Sequence, residues 1–177
     1  MAEPHAVVLV EGKSDRIALE ALAVRHGRDL AAEGVEIVPI GGAQAIGRRL
    51  GELAGTGVRL AGLCDAGEEL HFRRALGVPD RAAMEELGFF VCVETLEDEL
   101  IRALGAAGVE EVIAAQGELD VFRSFQNQPA WRGRSTESQL LRWMHNGGRY
   151  LRYPPLLLEA LDVGRVPRPL AGVLASV

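Results

Sequence analysis

Six carboxylates recur where a strand should end or a helix begin: Glu11 after AVVLV, Asp15 four residues on, Asp65 after LAGLC, then Glu94, Glu97 and Glu99 after GFFVCV. Carboxylates gathered within a few ångströms repel one another, so at least one must keep its proton unless a cation balances them. Mg2+ or Mn2+ suits such a place, because these hard ions take oxygen ligands, typically one or two carboxylates with waters and substrate phosphate oxygens. With more than three carboxylates in reach, two ions about 4 Å apart can be held, and such a pair activates a water and stabilises both oxygens of phosphodiester cleavage. A simpler reading competes at Asp15, Glu97 and Asp98, since acids in a first helical turn complement the helix dipole without any chemistry. At Glu11 and Asp65 the functional reading is favoured over a merely structural one, because the end of a buried parallel strand is a poor place for idle charge. Glu68 and Glu69, just past Asp65, read as solvated loop charges.

The elements that must position these groups follow from hydrophobic patterning. Residues 6–10 form an unbroken Val-rich run, which reads as a strand buried on both faces, as in a parallel sheet. Similar runs recur at 35–40, 58–64 and 88–93, separated by segments long enough for helices. Ile17, Leu19, Leu22, Ala23 and Leu30 carry helical spacing after a candidate N-cap at Ser14, and Ala45, Ile46, Leu50 and Leu53 do so after the Gly41-Gly42 turn. The alternation predicts an α/β fold, a four-stranded, mainly parallel sheet with helices on both faces. Beyond it the pattern becomes helical only, over 97–104, 109–116, 137–145 and 156–161, while 163–170 (VGRVPRPL) reads as an irregular arm. The expected division is an α/β core over 1–118 and a helical extension over 119–177.

Charge follows the same division. Residues 1–118 hold 11 basic and 21 acidic groups, net -10, whereas 119–177 hold 8 and 4, net +4. Arg132, Arg134, Arg142, Arg149 and Arg152 lie among Phe122, Phe125, Trp131, Trp143, Tyr150 and Tyr153. Arginines with aromatics are the composition of a surface that tracks phosphates and stacks bases; the same aromatics could simply form a small helical core. Lys13, the only lysine of the chain, stands beside the acidic group. Cys64 and Cys92 lie in apolar runs without a zinc-type spacing and read as buried thiols. The chain has no run of about 18 apolar residues and no signal-peptide pattern at its start, so a cytoplasmic location and no membrane partner are expected.

VLVEGKSD (residues 8–15), IGGAQAI (40–46) and LCDAGEE (63–69), in that order, resemble the TOPRIM family, the catalytic domain of bacterial primases, topoisomerases and several nucleases. LEDEL, with Glu97 and Glu99, and a late basic residue bring the chain nearest to the OLD-type (overcoming lysogenization defect) nucleases, over roughly residues 5–160. The resemblance implies a Rossmann-like TOPRIM fold and DNA cleavage with Mg2+ or Mn2+. It makes Glu11 and Asp65 the central ligands, completes the metal shells with Asp15, Glu97 and Glu99, and gives Arg149 the role of stabilising developing charge. Lys13, Arg132, Arg134, Arg142 and Arg152 are the candidate nucleic-acid contacts.

Three departures stand out. Gly67 occupies the place of the second aspartate of the family's DxD pair, Arg149 that of the usual late lysine, and no GxxxxGK[ST] motif for an OLD-type ATPase occurs, so a standalone domain, with a separate ATPase or a homo-oligomer as partner, is the expectation. Two other readings stay open, a non-catalytic module that binds nucleic acid or a partner, and an RNA-processing TOPRIM nuclease.

Overall fold

Five consecutive buried residues can be accommodated only if each face of a strand is covered, and the computed structural model, which describes residues 4–177, does this at its centre. Strand β1 (Ala6–Val10) lies between β2 (Val35–Pro39) and β3 (Arg59–Cys64), and β4 (Phe89–Val91) completes a four-stranded sheet of order β2-β1-β3-β4. Every pairing is parallel. Pro39 is tolerated because β2 is an edge strand, where a missing N–H leaves no ladder bond unmade. Gly62 of β3 is needed for close approach: a Cβ there would stand 2.5 Å from the Phe89 ring and 2.9 Å from Leu9 O.

Side chains alternate between two apolar clusters, as the strand period of two requires. Val7 and Leu9 face helices α2 (Ile46–Leu53), α3 (Glu69–Leu76) and α4 (Arg81–Glu86), where Ile46, Phe72 and Met84 cover them. Ala6, Val8 and Val10 face a larger cluster running from α1 (Lys13–Arg25) through α5 (Leu96–Leu104), α6 (Ala106–Ala115), α7 (Leu119–Gln126), α8 (Thr136–Met144) and α9 (Arg149–Ala160) to α10 (Arg168–Ala175). The helices after residue 104 therefore form a thick layer on one face of the sheet, continuous with its core. Among the described residues no helix is long and apolar enough to cross a membrane.

Four local expectations are revised. The N-cap of α1 is Gly12, not Ser14, and Asp15 Oδ2 accepts the Gly12 N–H at 2.8 Å. Residues 119–126, for which no helix is expected from sequence, form α7 around buried Phe122 and Phe125. Helix α9 begins at Arg149 rather than near Leu156 and contains Pro154 and Pro155. Each proline removes an i→i−4 bond, but Tyr153, Pro154, Leu157 and Leu158 are buried and α9 packs along α1, whose Arg25 guanidinium caps the carbonyls of Leu158 and Leu161. The expected arm at 163–170 is a 3₁₀ turn followed by α10, in which Pro169 sits at the second helical position, where its missing N–H costs little. Gly172 lets α10 press on β4, since a Cβ there would meet the Phe90 ring at 2.4 Å.

Candidate functional site

In the register of the sheet, Val10 lies opposite Leu63 and Cys64 opposite Val91, so the residues that follow these strands emerge at one carboxyl edge. Ligand sites of open parallel sheets lie outside that edge. Glu11 ties the edge together: its Oε1 accepts the Asp65 N–H at 2.8 Å, and its carbonyl accepts the N–H groups of Gly41 and Gly42 at 3.2 and 3.3 Å. Gly42, at φ +111°, takes a conformation closed to most side chains, which lets the loop after β2 fold onto Glu11. Ala66 N–H reaches Glu94 O at 3.1 Å and joins the loop after β3 to the one after β4. Glu97 stands in the first turn of α5, which Thr95 caps through the Asp98 N–H.

These segments line one cleft of about 320 Å³. Glu11, Asp15, Asp65 and Glu97 come from the sheet edge and helix starts, while His145 and Tyr150 close it from the helical layer. No lysine or arginine of the described residues lines it. A cleft of about 650 Å³ runs along α1 beside the outer edge of β2, but its wall is mainly apolar and its charges are of both signs, so size does not mark the chemistry.

Burial and mutual repulsion dominate the electrostatics. Burial pushes Asp65 up to about 8, helped by the charges of Glu11, Asp15 and Glu97 and opposed by a hydrogen bond from the Leu96 backbone. Burial likewise raises Asp15 to about 7 against its bond to the Gly12 N–H, with Glu97 and Glu11 adding to the rise. Glu11 is raised by burial, while the Asp65 N–H opposes the shift. Behind the cleft, burial drives the thiols of Cys64 and Cys92 far above the ordinary range, which makes both inert packing groups.

The donor types suit a hard divalent cation, being carboxylate oxygens at an open edge with no lysine or arginine in competition. Among the described residues no three Asp, Glu, His or Cys side chains converge closely enough to hold a metal ion between them. Such a site would leave part of an ion's shell to water and substrate oxygens, the habit of Mg2+.

Not all expected site residues meet here. Glu99 is buried, but it accepts the Val93 N–H at 2.7 Å and pairs with Arg102 at 3.0 Å, and it is absent from the cleft wall. Arg149 is also elsewhere: its guanidinium lies 4.0 Å from the centre of the Trp143 ring, bonds Asn146 O at 3.2 Å and pairs with Glu118 at 3.5 Å. Arg152 is held by Glu118 beside Tyr153. Lys13, Arg132, Arg134 and Arg142 are exposed, with Arg134 stacked 5.1 Å over Trp131. Phe122, Phe125, Trp143 and Tyr153 are core residues, so the stacking surface suggested by composition is largely internal. Gly67 is exposed with nothing within 4 Å of a built Cβ, Glu69 pairs with Arg81, and Glu68 stands near His71.

His145 and Tyr150 were not singled out for the cleft from sequence. The available signal was a His and a Tyr on either side of the Gly147-Gly148 turn, a pattern without meaning until the helical layer is seen to close over the strand ends.

No curated protein matches the chain in sequence. Residues 5–66 match the family model described as overcoming lysogenization defect protein-like, TOPRIM domain. Among solved structures, the C-terminal region of the Burkholderia pseudomallei OLD protein is similar at 19% identity and a TM-score of 0.73, covering 98% of this chain and 96% of that one. The C-terminal region of the Xanthomonas campestris pv. campestris OLD protein is similar at 23% identity and a TM-score of 0.72, with 99% and 95% covered. The segment that holds β1, β2, β3, Glu11, Asp15 and Asp65 therefore resembles an OLD-like TOPRIM domain, and the chain has the fold of OLD C-terminal regions over nearly its whole length.

Proposed function

We propose that the acidic cleft cleaves phosphodiester bonds of DNA with Mg2+ or Mn2+. The observation that carries this reading is the meeting of Glu11, Asp15, Asp65 and Glu97 in one cleft without a lysine or arginine in its wall. Such a wall binds a phosphate only if cations stand between. When bound, the ion supplies Lewis acidity toward a phosphoryl oxygen and acidifies a bound water.

The chain's own contribution is orientation. Glu11 Oε1 is occupied by the Asp65 N–H, which leaves Oε2 as the oxygen free to bind. Asp15 Oδ2 is likewise taken by the Gly12 N–H, leaving Oδ1. Both carboxylates are thereby held by backbone bonds before any ligand arrives, so little ordering remains to be done on binding. Asp65 approaches from the loop after β3 and Glu97 from the first turn of α5. Glu99, through Val93, positions the loop that leads into that turn. The exposed Lys13, Arg132, Arg134 and Arg142 are the groups available to the sugar-phosphate backbone, and DNA rather than RNA is the choice that the OLD-type resemblance favours.

One observation favours a second reading. Gly67 offers no carboxylate where the family pattern has one, as in a module that binds nucleic acid without cutting it. Plasmid DNA incubated with the wild type and Glu11→Ala, across a titration of Mn2+ and Mg2+, separates the two. Cleavage that Glu11→Ala lowers by about 100-fold or more is expected. DNA binding that survives chelation, with no Glu11-dependent cleavage under either ion, would establish the second reading instead.

A further inference from the structure

We propose that His145 is a catalytic residue of the cleft, its Nε2–H giving a proton to the leaving oxygen of the phosphodiester, with the Tyr150 hydroxyl holding a non-bridging oxygen beside it. This rests on the phosphodiesterase reading above and names the leaving-group side of that site. A departing alkoxide is a poor leaving group, and a positioned donor commonly contributes about 100-fold to 10,000-fold to its expulsion. The acids that the sheet edge supplies are carboxylates, which accept rather than donate once ionised, and the Ser14 hydroxyl beside them is too weak an acid to protonate a leaving oxygen. His145 is the one lining side chain able to carry a positive charge, and Tyr150 the one phenol.

The geometry holds His145 ready. It is the C-cap of α8, and its Nδ1 lies 2.7 Å from Leu141 O one turn earlier. A carbonyl only accepts, so the Nδ1 position bears hydrogen and Nε2 is the nitrogen left for a ligand. The following turn, with Gly147 at φ +64° and Gly148 at φ +75°, reverses the chain so that Arg149 goes to Trp143 and Glu118 while its neighbour Tyr150 faces the cleft. Arg149, expected from sequence to stabilise charge at the site, is thus committed to the helical layer, and the donors that the helical layer gives the cleft are the residues flanking that turn.

In the step itself, water adds to phosphorus and the bond from phosphorus to the leaving oxygen breaks, its electron pair passing to that oxygen. The Nε2 proton transfers to the same oxygen and leaves a neutral imidazole with its hydrogen on Nδ1. The water's surplus proton leaves through a cleft carboxylate or solvent, and solvent reprotonates His145. No oxidant or further reactant is required.

The test compares supercoiled plasmid DNA with bis(4-nitrophenyl) phosphate, whose phenolate leaves without a proton, both with Mn2+, for the wild type, His145→Ala and His145→Gln. For each variant the loss of kcat on DNA is expected to exceed its loss on the nitrophenyl diester by at least tenfold. Added imidazole should restore part of the DNA activity of His145→Ala. Equal losses on the two substrates, or no loss on DNA, would overturn the proposal. A wild type that cleaves neither substrate under Mn2+ or Mg2+ would sink the phosphodiesterase reading first and the proposal with it. His145 is exposed, so melting temperatures near that of the wild type are the check that both variants fold.

Discussion

The two faces of the cleft were written in similar chemical detail, but folding treated them differently. Along the sheet edge, Glu11, Asp15, Asp65 and Glu97 remain directed into a common space, because each follows a strand end or opens a helix whose place the parallel ladder fixes. In the helical layer the arginines and aromatics are mostly consumed by one another. Trp143 packs edge-on against Phe122 and Tyr153 at 5.5 and 5.3 Å, Arg149 covers its face, and Glu118 gathers Arg149, Arg152 and the Tyr153 hydroxyl. Arg123 is paired with Glu110. Charge at a strand end stays available because the backbone holds it there; charge on a helix finds whichever neighbour packing supplies.

The comparison is broken most severely at Trp143. Trp143→Ala empties the centre of the aromatic cluster and should cost about 3–5 kcal/mol, a fall in melting temperature of roughly 6–20 °C, visible by calorimetry. A change of less than about 1 kcal/mol would mean that the layer does not depend on this cluster. The acidic edge, by contrast, should respond first in activity, as Glu11→Ala tests, with a smaller loss of stability because the Asp65 N–H loses its partner.

A third prediction concerns pH. Asp15 and Asp65 have folded values of about 7 and 8, above the value of about 3.9 usual for an unfolded aspartate. The folded state thus holds these protons more tightly. Its stability from them is complete below about pH 4 and is lost as pH rises through 7 and 8. Metal-free protein in chelator should melt roughly 5 °C or more lower at pH 8.5 than at pH 5.5, and Asp65→Asn should flatten that slope. Mg2+ should raise the melting temperature more at the higher pH, since ligands must be deprotonated. A melting temperature that rises with pH in chelator would refute the account of crowded, desolvated carboxylates.

The smallest effect is expected from Gly67→Asp. A Cβ at this exposed position meets nothing within 4 Å and the backbone is not left-handed, so stability should move by no more than about 0.5 kcal/mol. An added carboxylate at the acidic edge should tighten Mn2+ binding several-fold by calorimetric titration. Unchanged affinity would place Gly67 outside reach of the ion.

Much of the sheet was legible because apolar runs mark it: those at 6–10, 35–40, 58–64 and 88–93 correspond to the four strands within a residue or two at each end, although only β1 is buried along its whole length. The helices at 97–104, 109–116 and 137–145 were legible from the change to a purely helical pattern after the fourth strand, and the structure adds their caps, such as Thr95 and Ser135. Helix α7 was not, because its eight residues span only about two turns, too short a stretch to show a period, and α9 was obscured by the two prolines inside it.

Within the site, strand-end position alone singled out Glu11 and Asp65 in the sequence, whereas Asp15 and Glu97 came with the family resemblance because a helix dipole would explain them equally; the structure lines one cleft with all four. Only the tertiary structure decided the far wall. Whether Arg149 or its neighbour Tyr150 faces the carboxylates depends on a two-glycine turn and on which partners lie nearby in space. Local sequence carries φ, ψ and period, whereas the choice among long-range partners for a mobile side chain is made by packing.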